Sequence, residues 1–458
     1  MKKPPTILVI FGITGDLSRR KLLPALAEIQ KSGELPEKFK VIGVSRQSVD
    51  AAEVLQAAYM QDDQRRRLES CLSIFTMDVT AADDYQRLGA TLNAAAADFG
   101  SDAQLLFYLS LPPLASKPVI DKLGLSGLAA WPNAKLLLEK PFGTDLPSAR
   151  DLIDHIKQHF TEEQIYRIDH YLAKEMAQNI AVFRGGNSLF KSTWNNQFIE
   201  GIEVIATENI GIEGRAAFYE QTGALRDIAQ SHLLQLAALV LMPFATETQN
   251  APIPERRLQA LRNLRLDPNT PVEKLVWRGQ YLGYLDEVGN PDSSVETALY
   301  MTLESVDPRW LGVPIRILTG KAMAQKTTEI RIQYRKQSAD ESNQLVMRIN
   351  PSEAIDVYLW AKKPGYRHKL EKVALSYTYA DYYEKLPEPY EQVILDAICS
   401  ERALFTSSDE VIAAWKIVEP IVQNWQSAAR PQLYAPGSSV ADISDGLFTG
   451  AETDPIVD

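Results

Sequence analysis

Ile7-Leu8-Val9-Ile10-Phe11-Gly12-Ile13-Thr14-Gly15-Asp16-Leu17 decides the architecture. Five consecutive apolar residues, rich in β-branched side chains, read as a strand buried on both faces, which is how strands of a parallel sheet are written. Two glycines three apart follow at once. A helix comes next, with Leu17, Leu22, Leu23, Leu26 and Ile29 falling near a 3.6 period until Gly33 closes it. A strand that turns on glycine into a helix offers unpaired backbone N–H groups and the positive end of the helix dipole to an anion, which suits a dinucleotide pyrophosphate. Gly12, Thr14, Gly15, Asp16 and Leu17 are therefore candidate cofactor-binding residues. The spacing is not the full G-x-G-x-x-G, and taken alone it also suits two plain turn glycines.

Working outward, short buried runs recur at Lys40–Val44, Leu105–Leu109 and Lys135–Leu138 with helical stretches between them. Alternating strand and helix predicts a doubly wound α/β domain over the first third of the chain. After about residue 175 the character changes. One helical segment runs from Ala224 to about Leu241, and period-two alternation at Glu329–Tyr334, Leu345–Ile349 and Ile355–Trp360 predicts half-buried antiparallel strands. The expected fold class is an N-terminal Rossmann-like α/β domain plus an α+β C-terminal domain with a large, mainly antiparallel sheet. The expected division is 1–172 for dinucleotide binding and 173–458 for substrate binding and oligomerisation. From about Ala435 the chain is rich in Gly, Ser and Asp and reads as poorly ordered or loosely docked.

With 458 residues, 45% apolar, 23% charged and a net charge of -11, the composition is that of an ordinary soluble protein. The acidic balance argues against nucleic-acid and anionic-membrane partners, and an anionic substrate would need a local basic pocket. No apolar run is long enough to cross a bilayer. The basic start, Met1-Lys2-Lys3, precedes an apolar run that Gly15-Asp16 ends too soon for a signal sequence. Cys71 and Cys399 stand far apart without metal or redox spacing, which fits a reducing cytoplasm. No metal-like cluster is visible in the sequence, and no metal is expected.

Four further motifs carry chemistry. Ser45-Arg46-Gln47 ends the second strand where an NAD site usually has an acidic residue for the ribose 2′-OH. Arg46 would pair with a 2′-phosphate, which favours NADP and leaves NAD as the alternative; an arginine after a strand also serves as a plain surface residue. Glu139-Lys140-Pro141-Phe142-Gly143 places Lys140 at the carboxyl edge of the sheet, able to bridge cofactor and substrate, with an X-Pro bond that is a candidate for the cis form. Arg167-Ile168-Asp169-His170-Tyr171-Leu172-Ala173-Lys174-Glu175 crowds titratable groups into nine residues. If a helix starts there, His170 and Lys174 share a face and form a cationic clamp for an anion. His232 lies among apolar residues of the helix Gly223–Leu236, near Asp227 and Gln235. Alone it reads more readily as a core histidine; with Asp169 it offers a His–Asp pair that tunes a general base.

In the order of these blocks, across nearly its full length, the chain resembles the glucose-6-phosphate dehydrogenase family. The resemblance is carried by Gly12–Leu17 with Arg20-Lys21-Leu22, by Arg46, by Glu139–Gly143, by Arg167–Glu175 and by Gly223–Gln235. Pro308–Pro314, Gly320-Lys321 and Pro387–Glu391 extend it. Some positions depart from the family pattern: Ala173 stands where glycine is usual and Ser231 where asparagine is usual, Thr319-Gly320-Lys321-Ala322-Met323 differs around the Gly-Lys pair, and Gly437-Ser438-Ser439-Val440 lacks the tryptophan and proline often found there.

The resemblance implies an enzyme that oxidises D-glucose 6-phosphate at C1 to the 1,5-lactone with NADP, the first step of the oxidative pentose phosphate pathway. It implies His232 as the base and Asp169 as its orienting partner. His170, Tyr171 and Lys174 would grip the phosphate, Lys21 and Lys140 would stand between substrate and cofactor, and Glu208, Asp227, Lys321 and Lys326 would contact the sugar. Asp78 and Val79 join the cofactor set. A cytoplasmic homodimer or homotetramer is expected. Two alternatives stay open: a relative with another hexose phosphate or an NAD preference, and a catalytically silent regulatory homologue.

Overall fold

The computed structural model describes residues 3–99, 103–244, 251–336, 342–426 and 429–445, which build two sheets. The first is formed by β1 (Thr6–Phe11), β2 (Phe39–Ser45), β3 (Leu72–Thr76), β4 (Gln104–Leu109), β5 (Lys135–Leu138) and β6 (Ile165–Ile168). These strands are mutually parallel in the spatial order β3-β2-β1-β4-β5-β6. That is the doubly wound order in which ligands bind outside the carboxyl ends, at the switch point between β1 and β4. β1 and β4 are buried along their whole length, which explains why both read as uninterrupted apolar runs.

The second sheet contains β7 (Ile199–Thr207), β8 (Leu264–Arg265), β9 (Val276–Tyr281), β10 (Ala298–Ser305), β11 (Ile315–Gly320), β12 (Thr327–Tyr334), β13 (Gln344–Asn350), β14 (Ala354–Lys362) and β15 (Leu370–Thr378). Its pairings are antiparallel except for β7 with β11 and for one edge strand. The predicted strands at 329–334, 345–349 and 355–360 are the inner parts of β12, β13 and β14. Two late strands finish the sheets. β16 (Phe405–Thr406) pairs antiparallel with β6 at the edge of the first sheet, and β17 (Gln432–Tyr434) pairs with β9 in the second. The largest core cluster joins β7, β10, β11 and β12 to the helices Glu175–Gly186, Leu234–Leu241 and Ser408–Trp425.

Three local expectations are corrected. First, the helix after β1 is not α throughout: it contains a π-helical turn, Ser18–Leu22, before the α-helix Leu23–Lys31. Second, the segment expected as a regular helix from Ala224 to Leu241 is π-wound over Leu225–Leu233 and α-helical only over Leu234–Leu241. Both windings turn a similar set of apolar residues inward, so hydrophobic spacing does not separate them. Third, residues 435–445 are docked rather than loose. Gly437 N donates to Ala322 O at 2.7 Å, Ala324 N donates to Ser438 O at 2.9 Å, and Ile443 is buried. The rest of that tail, 446–458, lies outside the described residues.

Candidate active site

The cofactor side is built at the carboxyl ends of β1, β2 and β3. Gly12 has φ +83°, and a Cβ there would lie 2.3 Å from the Ser110 carbonyl oxygen, so the turn closes onto the end of β4 only with glycine. Gly15 N donates back to Gly12 O at 2.9 Å, and the helix starts directly after. The first-turn N–H groups at Asp16 and Leu17 have no carbonyl partner within their own helix, which leaves donors for an anion. Arg46 follows β2, exposed, and Asp78 and Val79 follow β3. Asp78 sits close enough to Arg46 to feel its charge; hydrogen bonds from Thr80 come first in holding its carboxyl below the usual range. A glycine turn with free first-turn N–H groups and an exposed arginine after the neighbouring strand are thus present, and these residues fit a nicotinamide dinucleotide.

At the switch between the two sheets stands a buried pair. His232 Nδ1 lies 2.6 Å from Asp169 Oδ1, with His232 1% and Asp169 3% exposed. Asp169 follows β6, and its Oδ1 also accepts the Tyr171 N–H at 2.9 Å, which fixes the carboxylate. The π winding matters for the histidine. Leu234 N donates to Ala229 O, five residues back, so Asp227 and His232 fall on one face. In an α-helix they would be roughly 140° apart. Tyr171 stacks on the imidazole with ring centroids 4.2 Å apart, and His170 meets it edge-on at 4.7 Å.

Lys140 completes the cluster. Its Nζ lies against His232 Nε2 and donates to Asp227 O at 2.8 Å and to Ser231 Oγ at 3.0 Å. Ser231 donates in turn to Asp227 O at 2.8 Å, so the serine found at this position is a working member of the network. Ala173 is buried without a positive φ, and its carbonyl accepts Gln178 Nε2. The Lys140-Pro141 bond is cis, as is Asn350-Pro351.

Two cavities flank the pair and share His170. One, of about 210 Å³, is lined by Lys140, Asp169, His170, Arg226, Asp227 and Ser231 among others. The second, of about 250 Å³, gathers His170, Tyr171, Lys174, Glu208, Lys321 and Lys326. Residues from His170 to Lys326 are thereby collected as one lysine-rich pocket in an acidic protein. Lys321 is buried, paired with Glu208 and set 5.4 Å from the Tyr219 ring. His232 itself lies behind these linings, covered by Lys140, Tyr171 and His170. Lys140 also lines a third cavity that runs along Leu111 and Lys117 toward the cofactor side.

Some expectations change here. His170 and Lys174 do not share a helix face, because residues 170–174 form turns and the helix begins at Glu175. They still meet in one cavity, because the turns fold both toward β12. Lys21 lies outside the linings of these cavities, with its Nζ 3.5 Å from Glu388. The sequence spacing also hid one grouping: Asp169, His170 and His232 each bring a ligand atom within 4.8 Å of the others. The Lys140 ammonium already supplies a cation at that point.

The electrostatics follow from burial. Desolvation would raise the Asp169 carboxyl, but His232, His170 and Lys140 outweigh it and hold it at about 2. Burial pushes His232 below its ordinary value, with Lys140 adding to the shift and Asp169 opposing it. His170 is driven down to about 3 by burial and then by His232. Burial likewise lowers Lys140. A neutral imidazole beside an ionised carboxylate can accept a proton at Nε2 and be stabilised at Nδ1.

Sequence reasoning missed several neighbours. Glu139 is half-buried between two tyrosines and accepts Tyr108 Oη at 2.5 Å, and desolvation raises its carboxyl. Arg226 donates to Thr144 O at 2.8 Å. Asn350 enters the second cavity from the end of β13. Only Glu139, next to Lys140, carried any local signal.

A dinucleotide-binding sheet whose switch point opens on a buried imidazole and a lysine-rich cavity defines a nicotinamide-dependent dehydrogenase. Comparison with known proteins narrows this. The profile of "Glucose-6-phosphate dehydrogenase, NAD binding domain" matches residues 9–179, and that of "Glucose-6-phosphate dehydrogenase, C-terminal domain" matches 181–453. The chain is 35% identical to a glucose-6-phosphate 1-dehydrogenase of Chlamydia muridarum, over 97% of this chain and 96% of that one. It is 35% identical to the enzyme of that name from Bacillus subtilis, over 98% and 97%. A solved glucose-6-phosphate dehydrogenase in complex with glucose 6-phosphate superposes with a TM-score of 0.91 at 29% identity, covering 99% of both chains. The chain belongs to the glucose-6-phosphate dehydrogenase family.

Proposed function

We infer that the protein oxidises D-glucose 6-phosphate at C1 to 6-phospho-D-glucono-1,5-lactone, with NADP preferred over NAD, the entry step of the oxidative pentose phosphate pathway. The single observation that carries this reading is the buried His232–Asp169 pair beside a cavity with three lysines. His232 Nε2 takes the proton of the C1 hydroxyl, and Asp169 stabilises the imidazolium through Nδ1. The nicotinamide dinucleotide that Gly12 to Leu17 would hold would supply the hydride acceptor for C1. Lys140 Nζ lies against Nε2, so a sugar hydroxyl reaches the imidazole only where Lys140 gives up that contact. His170, Tyr171 and Lys174 hold the phosphate; Glu208, Asp227, Lys321 and Lys326 contact the sugar. Lys21 reaches the substrate only by leaving Glu388.

Gly12 to Leu17, Arg46, Asp78 and Val79 would hold the cofactor. The preference for NADP rests on Arg46, with no acidic residue at 45–47. Residues 1–172 are assigned to cofactor binding and 173–458 to substrate binding and assembly. The edge strand β15 leaves Leu370 and Leu375 exposed, with Tyr382 and Tyr383 nearby in sequence. A face of this kind supports a homodimer or homotetramer, which sedimentation analysis would measure. Among the described residues no helix is long and apolar enough to cross a membrane. Two free cysteines suit a reducing cytoplasm.

Initial rates at the reduced-nicotinamide absorbance with glucose 6-phosphate, run in parallel with NADP and NAD, test the reading. Faster turnover with NADP is expected. Turnover with NAD alone would overturn the role of Arg46, and none with either would overturn the activity.

A further inference from the structure

The helix that carries His232 is held at both ends by buried charges of opposite sign. At its start, the Glu296 carboxylate accepts the Leu225 N–H at 2.9 Å, and the Glu296 main-chain oxygen accepts the Ala224 N–H at 3.0 Å. Glu296 is 3% exposed and has no ion-pair partner among the described residues. Gly223 precedes it with φ 60° and ψ -178°, a conformation kept for glycine, and a Cβ there would lie 2.4 Å from Glu296 Oε1.

At the other end, Arg184 donates to Leu239 O at 2.8 Å and to Met242 O at 2.5 Å. Trp194 Nε1 donates to Val240 O and Trp310 Nε1 to Leu241 O, each at 2.9 Å. The terminal carbonyls, which a helix cannot satisfy internally, are therefore met by buried side chains. Arg184 is 1% exposed, packed 4.5 Å from the Phe244 ring, with no carboxylate partner among the described residues. An anion at the start and a cation at the end both complement the helix dipole. Keeping two such charges out of water without ion partners is costly, and the side-chain hydrogen bonds each makes among the described residues go to this helix and its end.

A π winding is rare and occurs mostly as short bulges inside α-helices, frequently at functional sites, so a run over Leu225–Leu233 calls for something that holds it. We propose that Glu296 and Arg184 are positioning residues that fix the two ends of Leu225–Leu241, hold its π winding and thereby aim His232 at Asp169. The proposal rests on the reading of His232 as the base. Neither residue lines the two cavities that flank the pair, so each acts through the helix.

The test uses the full chain with Glu296→Ala, Glu296→Gln and Arg184→Met, reading kcat, both KM values and the low-field Nδ1–H proton resonance of His232. Glu296→Ala and Arg184→Met should lower kcat by roughly 10-fold or more, keep both KM values within about twofold, and shift or erase the resonance. Glu296→Gln retains an acceptor for Leu225 and should keep most of kcat and the resonance. Parent-like kcat and resonance in Glu296→Ala, or Glu296→Gln as damaged as Glu296→Ala, would overturn the proposal. Should Glu296→Ala not fold, Glu296→Asp, which withdraws the carboxylate from Leu225, carries the same expectations. His232→Asn separates the two levels. Full turnover by that variant removes the base assignment, whereas its loss alongside an unaffected Glu296→Ala removes the clamp alone.

Discussion

Lys140 Nζ covers Nε2 of His232, the one imidazole nitrogen that Asp169 does not hold. Two groups that burial drives toward their neutral forms thus share the position where a substrate hydroxyl must arrive. Replacing Lys140 by methionine should lower kcat/KM by about 10²-fold. The same change removes a charge that depresses His232, so the acid limb of kcat/KM, expected below pH 6.5, should move to higher pH. An unmoved limb would mean that the two groups are not coupled.

His232→Asn should reduce kcat by at least ~10²-fold with KM for the sugar phosphate largely kept, because the variant can fill the space but cannot take the proton. Asp169→Asn should approach that loss by removing the counter-charge of the imidazolium. Equal rates for parent and variants would end the assignment of this pair.

Acid stability reports on His170. Its folded value of about 3 lies below the ordinary 6.5, so between these pH values the unfolded chain binds a proton that the folded chain refuses. Stability from this group is complete above pH 6.5 and falls as pH drops, with a slope of up to about 1.4 kcal/mol per pH unit. Melting temperatures from pH 7 to pH 4 should therefore decline more steeply in the parent than in His170→Gln. Parallel curves would show that His170 titrates normally.

Arg46→Ala should raise KM for NADP by at least ~10-fold and leave KM for NAD nearly unchanged, since only the former carries a 2′-phosphate for the guanidinium. An equal rise for both cofactors would point to a general loss of the ribose side.

Gly223→Ala should destabilise the fold by at least about 2 kcal/mol in urea titration, because it combines a glycine-only backbone conformation with a clash on Glu296. A neutral effect would mean that the kink is not rigid.

β1, β2, β4 and β5 were legible because burial on both faces writes them as apolar runs, and β12 to β14 because one half-buried face writes alternation; β3, half-buried along most of its length, and β6, four residues ending in a buried Arg167-Ile168, gave no such run. His232 and Asp169 were legible as residues through the family resemblance, while their contact depends on a winding that apolar spacing does not encode. β16 is two residues long, too short for any period, and β15 alternates Glu, Lys and apolar residues on a strand exposed along most of its length. Glu296 and Arg184 carried no local signal, because their partners are backbone groups 71 and 55 residues away.

The two-residue strand β16 bears on how the chain is made. Phe405 and Thr406 pair with Ile168 and Arg167, and Val393, Ile394, Ala397 and Ile398 pack into one face of the first sheet. As the polypeptide leaves the ribosome, six parallel strands emerge well before the segment that seals their border. Until then β6 presents bare amide and carbonyl groups beside an uncovered greasy surface. Nascent chains stalled ahead of residue 406 should accordingly be the ones that bind chaperones or aggregate, while those that have passed it should not.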